Sequence, residues 1–142
     1  LQWQPPIDPQ LLVDVSRIYL DVPDPDRLVQ FRQRSDANPH DVVAAFVAGT
    51  ELHHHGHWTA SNVYLARTAE AMDRQPRLHL YMAMNELHLG RQPQAEAGIE
   101  RAFAISDRDP DVYYCRAHVR VGANNASGAV ADLQGVNVVS EQ

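Results

Sequence analysis

Gly56, Gly90 and Asn124 stand 34 residues apart, and their surroundings repeat with them. Five residues beyond each come Ser61, Ala95 and Ala129, and nine beyond come Leu65, Ile99 and Leu133. Small and large apolar positions therefore recur in phase. A period of this length with this pattern implies paired helices stacked in a row, each pair burying its apolar face against the next. One period backwards lies Val22, whose frame holds Phe31 at the large position and Arg27 at the small one, as expected of a degenerate first unit.

Other small residues keep the same register. Gly49, Ala83 and Ala117 recur ahead of the repeated glycine position, and Ala102 follows it, with Thr68 and Val136 as looser equivalents. The best single unit runs from Pro76 to Asp109, with LHLG at Leu87 to Gly90 and then Ala95, Ile99, Ala102 and Phe103. This pattern resembles the tetratricopeptide repeat family, well over residues 42–138 and weakly over 8–41. The resemblance implies an all-α fold, a right-handed α-solenoid of about four antiparallel helix pairs. Its segments would be an extended leader (1–7), a degenerate first pair (8–41), repeat units at 42–75 and 76–109, and a last unit with a tail at 110–142.

Helix boundaries support the same reading independently of the family. Proline is favoured at the first helical position, where its missing N–H is not needed, and Asp or Asn just before it can cap the helix. Asp8-Pro9, Asp24-Pro25, Asn38-Pro39 and Asp109-Pro110 are such starts, and Gln75-Pro76 and Gln92-Pro93 carry the same proline with a poorer cap. The pattern predicts eight helices, at about 9–20, 25–35, 39–54, 57–72, 76–88, 93–105, 110–121 and 125–138, and no strand.

Composition narrows the function. The longest apolar run, Val42 to Ala48, is far short of the roughly 18 residues of a membrane helix. All the positive side chains are arginine, so a Walker loop and Schiff-base catalysis, which both need a lysine, are excluded within this chain. This, with abundant alanine, points to a GC-rich bacterial genome. A net charge of −6 argues against broad nucleic-acid binding, which relies on clustered cations. Cys115 is the sole cysteine and is expected to be a small core residue. The chain opens on Leu1 rather than Met, as expected of a mature fragment, which leaves the compartment open between cytoplasm and periplasm.

The family resemblance implies a concave groove lined by the first helix of each unit. Helix periodicity puts Phe46, Leu80 and Tyr114 at one groove position, Thr50, Met84 and His118 one turn on, and His53, Leu87 and Val121 beyond. Arg74, Arg77 and Arg108 are expected at the rim, where guanidinium groups could orient an acidic ligand. Family members that hold chaperone tails use lysine and asparagine here, and Phe46, Thr50, Leu80 and Met84 replace them. A chaperone-tail adaptor is therefore not expected.

The run HHHGH, His53 to His57, raises a metal site, with His53, His54 and His88 as candidates and His118 as a further donor. Consecutive helical residues point about 100° apart and Gly56 is expected to end the helix, so at most two of the run converge easily. Several neighbouring imidazoles would also make partner binding weaker in mild acid. Asp107, Asp109 and Asp111 open like a calcium loop, but Val112 and His118 stand where that loop needs Gly and Glu. No cofactor is expected.

The leading expectation is a non-catalytic protein-protein interaction module binding a partner peptide or helix, amphipathic or acidic, in its groove. The alternatives are a histidine-based metal- or pH-responsive module and an accessory domain of a larger enzyme. Homo-oligomerisation is expected through the last helix, whose Val130, Leu133, Val136 and Val139 have no following cap.

Overall fold

The computed structural model describes residues 8–19 and 24–140; the expected leader and the Val22 frame position lie outside them. The described residues form nine helices and no strand, and the chain divides into two compact units, 1–75 and 76–142.

The first unit contains α1 (Pro9–Tyr19), α2 (Pro25–Ala37), α3 (Val42–His54), α4 (Trp58–Ala66) and the single turn α5 (Ala69–Met72). α2 starts as the sequence predicts: Asp24 accepts from the backbone N–H groups of Asp26 and Arg27, and Pro25 follows. α3 does not. Asp41 is its cap, accepting from the Ala44 N–H at 3.0 Å, while Asn38 and Pro39 form a turn closed by the Asp41 N–H on the Asn38 carbonyl. Proline fits the second position of such a turn as well as the first of a helix, and the better-placed aspartate decides the helix start. The helix expected over 57–72 breaks at Arg67 and Thr68. The Thr68 hydroxyl donates to the Leu65 carbonyl at 2.7 Å, and both backbones bond three residues back, replacing the α-helical pattern.

The first eight residues of α3, Val42 to Gly49, are apolar, and Ala44 to Leu52 are all buried, Thr50 and Glu51 among them. Ala48, Leu52 and Tyr64 form a cluster with Leu28, Phe31 and Ala60. Gly49 lets α3 and α4 approach closely: a methyl group there would lie 2.6 Å from Leu65 Cδ2, and the Ser61 hydroxyl donates to the Gly49 carbonyl at 2.7 Å. Opposite, the Tyr64 hydroxyl donates to Asp36 at 2.7 Å and Arg67 donates to the same oxygen at 3.0 Å. The Tyr64 hydrogen bond, with that from Arg67, holds the Asp36 carboxyl below the usual aspartate range, so this tie between α2 and α4 is present at neutral pH and is lost as pH falls through that lowered value.

The second unit contains α6 (Pro76–His88), α7 (Gln92–Ile105), α8 (Pro110–Gly122) and α9 (Ala126–Ser140). Leu80, Ala83, Ala95, Ile99, Ala102, Val112 and Val119 form its core, with Leu87, Phe103 and Cys115 packed on it. The small positions read from the repeat are buried in both units: Gly49, Ala83 and Ala117 in the first helix of each pair, Ser61, Ala95 and Ala129 in the second.

The 34-residue spacing has a backbone cause. Gly56 (φ 81°), Gly90 (φ 76°) and Asn124 (φ 58°) all lie in the left-handed region at helix ends. In each case the N–H of the following residue bonds five residues back: His57 to Leu52 at 2.8 Å, Arg91 to Glu86 at 2.9 Å and Asn125 to Arg120 at 2.8 Å. Glycine adopts this conformation without steric cost, and asparagine is the side chain that tolerates it next best. A Cβ at Gly90 would meet nothing within 4 Å, so only the backbone resists it. Gly90→Ala is thus expected to cost about 1 kcal/mol. Chemical denaturation measures this, and no loss of stability would contradict the backbone account.

Candidate interaction surface

The structure separates the expected groove residues. Phe46 and Thr50 are fully buried and Leu80 is 3% exposed, so these three are core residues and offer no surface to a ligand. Leu80 is covered because α8 packs over it, bringing Val112 and Val119 into the same cluster. Met84 and Leu87 are half-buried, and Leu87 leans on that core. Arg77 is half-buried and ion-paired with Asp111, so its charge is already answered within the unit; Arg74 and Arg108 are exposed.

His53 is half-buried with its ring edge-on to Trp58 at 5.5 Å and to His54 at 5.4 Å. Among the described residues no three His, Cys, Asp or Glu side chains converge as a metal site; of the candidates, His53 and His54 belong to the first unit and His88 to the second. Cys115 is half-buried, and burial pushes its thiol up to about 12. It remains protonated at neutral pH and is a poor nucleophile.

Tyr114 and His118 are brought together on an open surface. α8 begins at Asp109, which accepts from the Asp111 N–H at 2.9 Å, and Pro110 takes the first helical position. The helix then buries Val112, Ala117 and Val119 and turns Tyr114, His118 and Val121 outward. Tyr114 and His118 stack edge to face with ring centroids 4.9 Å apart. Past the left-handed Asn124, Asn125 caps α9 by accepting from the Gly128 N–H at 2.9 Å. α9 folds back closely along α8, since a methyl group at Gly135 would lie 2.7 Å from the Tyr113 ring.

Between the two helices runs a groove of about 190 Å³ lined by Tyr114, Ala117, His118, Val121, Ala129 and Leu133. Ala117 and Ala129 form its buried floor, while Tyr114, Val121 and Leu133 are 53%, 63% and 47% exposed. Val130 and Val138 are also exposed on α9; Val136 and Val139 are half-buried.

Asp132 fixes the arrangement. It is the one ionisable residue of α9 and is 1% exposed. Arg116 reaches its Oδ1 at 2.8 and 2.9 Å, and Arg120 reaches the same oxygen at 2.9 Å. The Arg116 guanidinium also lies 4.1 Å from the centre of the Phe103 ring, a cation–π contact that braces it from α7. In the first unit the fully buried Glu51 plays a similar part, accepting from Arg27 at 2.6 Å and from the Asp24 N–H at 3.0 Å. Neither carboxylate is distinguishable in the sequence alone, where an isolated acid on a helix looks like a solvated one. The available signal was local in one case: residues 126–140 contain a single charge, which is unusual for a helix facing water on most sides.

No protein-family model matches the sequence. No curated protein matches it either. Solved structures do. The structure "MamA MSR-1 C2" superposes with a TM-score of 0.72 at 16% identity, covering 95% of this chain and 78% of the other. The structure "MamA RS-1 ArsTM double mutant" gives 0.73 at 12% identity, covering 94% of this chain and 76% of that one. MamA is a tetratricopeptide-like protein, and identities this low speak to fold alone. The chain therefore has an all-α helical-repeat solenoid fold similar to that of the tetratricopeptide-like MamA structures.

Proposed function

We propose that the protein is a non-catalytic interaction module that docks a partner protein on the outer surface of the α8–α9 pair. The observation that carries this is the groove floored by Ala117 and Ala129 and walled by exposed Tyr114, Val121 and Leu133. Large apolar side chains clustered around a concave strip, rather than scattered singly, mark association surfaces. Tyrosine at the centre of such a strip is a typical energetic anchor, with a rigid apolar body and a polar tip. The helical-repeat fold supports the same reading. Of the expected groove residues, Tyr114 and His118 serve here, Met84 and Leu87 stand on α6 of the same unit, and Arg77 is engaged internally. A partner selected mainly for acidity is not favoured.

The test compares wild type with a Tyr114→Ala and Leu133→Glu double variant in a pull-down from source-organism lysate. Both side chains are about half exposed and outside the core cluster, so helicity by circular dichroism should be unchanged. Partners held by wild type should be lost, with affinity for a purified partner falling at least about tenfold. Identical partner lists would sink this reading.

A further inference from the structure

We infer that the occupant of the α8–α9 groove is an α-helix of another protein presenting an uncharged apolar ridge, and not an extended segment. This rests on the groove being the docking surface proposed above. Three observations point to a helix.

The first is hydrogen bonding. An extended ligand brings an unpaired N–H and C=O with every residue, and strand-type recognition works by offering those groups a backbone partner. The groove walls are helices, whose backbone groups are bonded internally. Of the six lining side chains only Tyr114 and His118 carry polar atoms. An extended segment would be desolvated here with most of its backbone unsatisfied, whereas a helix arrives with its own backbone already paired.

The second is charge. The only ionisable residue of α9 is Asp132, and it is buried against Arg116 and Arg120, so the exposed face of α9 carries no charge. A ligand ridge bearing Lys, Arg, Asp or Glu would lose hydration against a wall that cannot answer it. Complementarity to a neutral face therefore selects a neutral ridge, and places any ligand charges on its solvent side.

The third is shape. Tyr114, His118 and Val121 are spaced four and three residues apart along α8, and Ala129 and Leu133 four apart along α9, while Ala117 and Ala129 keep the floor low. Rows of this spacing with small residues between them form the groove that takes the i, i+4, i+7 ridge of another helix.

A display library of random 20-residue peptides, selected on the whole protein and counter-selected on Leu133→Glu, tests the inference. Val121→Glu, with Val121 63% exposed, serves as a second groove variant, and thermal melts of both confirm folding. The expected binders carry apolar residues at i, i+3 or i+4, and i+7 with no charge among them. They should gain helicity on binding, and a proline at mid-peptide on the solvent side should weaken them by at least about tenfold. Groove-dependent binders that alternate apolar and polar residues, are proline-rich, tolerate the central proline or carry charge on the ridge would overturn the helix inference while leaving the docking surface standing. Recovery only of binders indifferent to both groove variants would overturn the docking surface and the inference together. Sedimentation showing a dimer abolished by Leu133→Glu would assign the groove to a second copy, overturning the assignment to another protein.

Discussion

Asp132→Ala is expected to destabilise the second unit by about 3 kcal/mol, because it leaves two arginines without the carboxylate that holds them. Arg116 and Arg120 both bond Oδ1 of this 1%-exposed residue, and their side chains are 15% and 31% exposed. Arg120 can regain water more easily than Arg116, which keeps the loss toward the lower end for a broken buried ion pair. Because the three groups tie α8 to α9, the groove should loosen together with the unit. Guanidinium denaturation followed by circular dichroism gives the free energy. A second variant separates charge from packing: replacing Asp132, Arg116 and Arg120 together with Leu, Met and Met should recover much of the loss, since apolar groups of similar volume often substitute for a buried ion cluster. A single-variant loss below about 1 kcal/mol would show that solvent screens the cluster and that it does not hold the pair together.

Gly49→Val should cost about 2–3 kcal/mol in the first unit, even though valine is the better helix former. The added Cβ would sit 2.6 Å from Leu65 Cδ2, 2.7 Å from its Cγ and 3.2 Å from its backbone nitrogen. Leu65 is fully buried and cannot swing into solvent, so α3 and α4 must separate. Separation also stretches the Ser61 bond to the Gly49 carbonyl, now 2.7 Å. In a double-mutant cycle, Gly49→Val combined with Leu65→Val should be less damaging than the sum of the single changes, with a coupling of about 1 kcal/mol. Strict additivity would mean that the two side chains do not compete for the same space.

The candidate surface was half legible in the sequence. Tyr114 and His118 fell on the expected row, because residues four apart on one helix share a face whatever surrounds them. The α9 wall is not legible in the same way, since nothing local says that Ala129 and Leu133 lie beside Tyr114. Phe46 and Leu80 share the frame position of Tyr114, yet they are buried and it is exposed. Periodicity gives the direction in which a side chain points along its own helix. Whether another helix lies in that direction is a separate matter: α8 covers Leu80, and no described helix covers Tyr114.

By itself the sequence determined what short-range chemistry controls. Gly56, Gly90 and Asn124 end helices because they are the residues that enter the left-handed region most cheaply, and the small residues placed seven before and five after them permit close packing. Asp24 and Asp109 start helices because their carboxylates reach N–H groups two residues on. Tertiary structure alone decided where charge could be buried and which apolar positions stayed open. Glu51 needs Arg27 from 24 residues earlier, and Asp132 needs arginines 12 and 16 residues before it. A carboxylate enters the interior only where packing brings a cation to meet it, and that meeting depends on how helices lie against one another, which no single helix encodes.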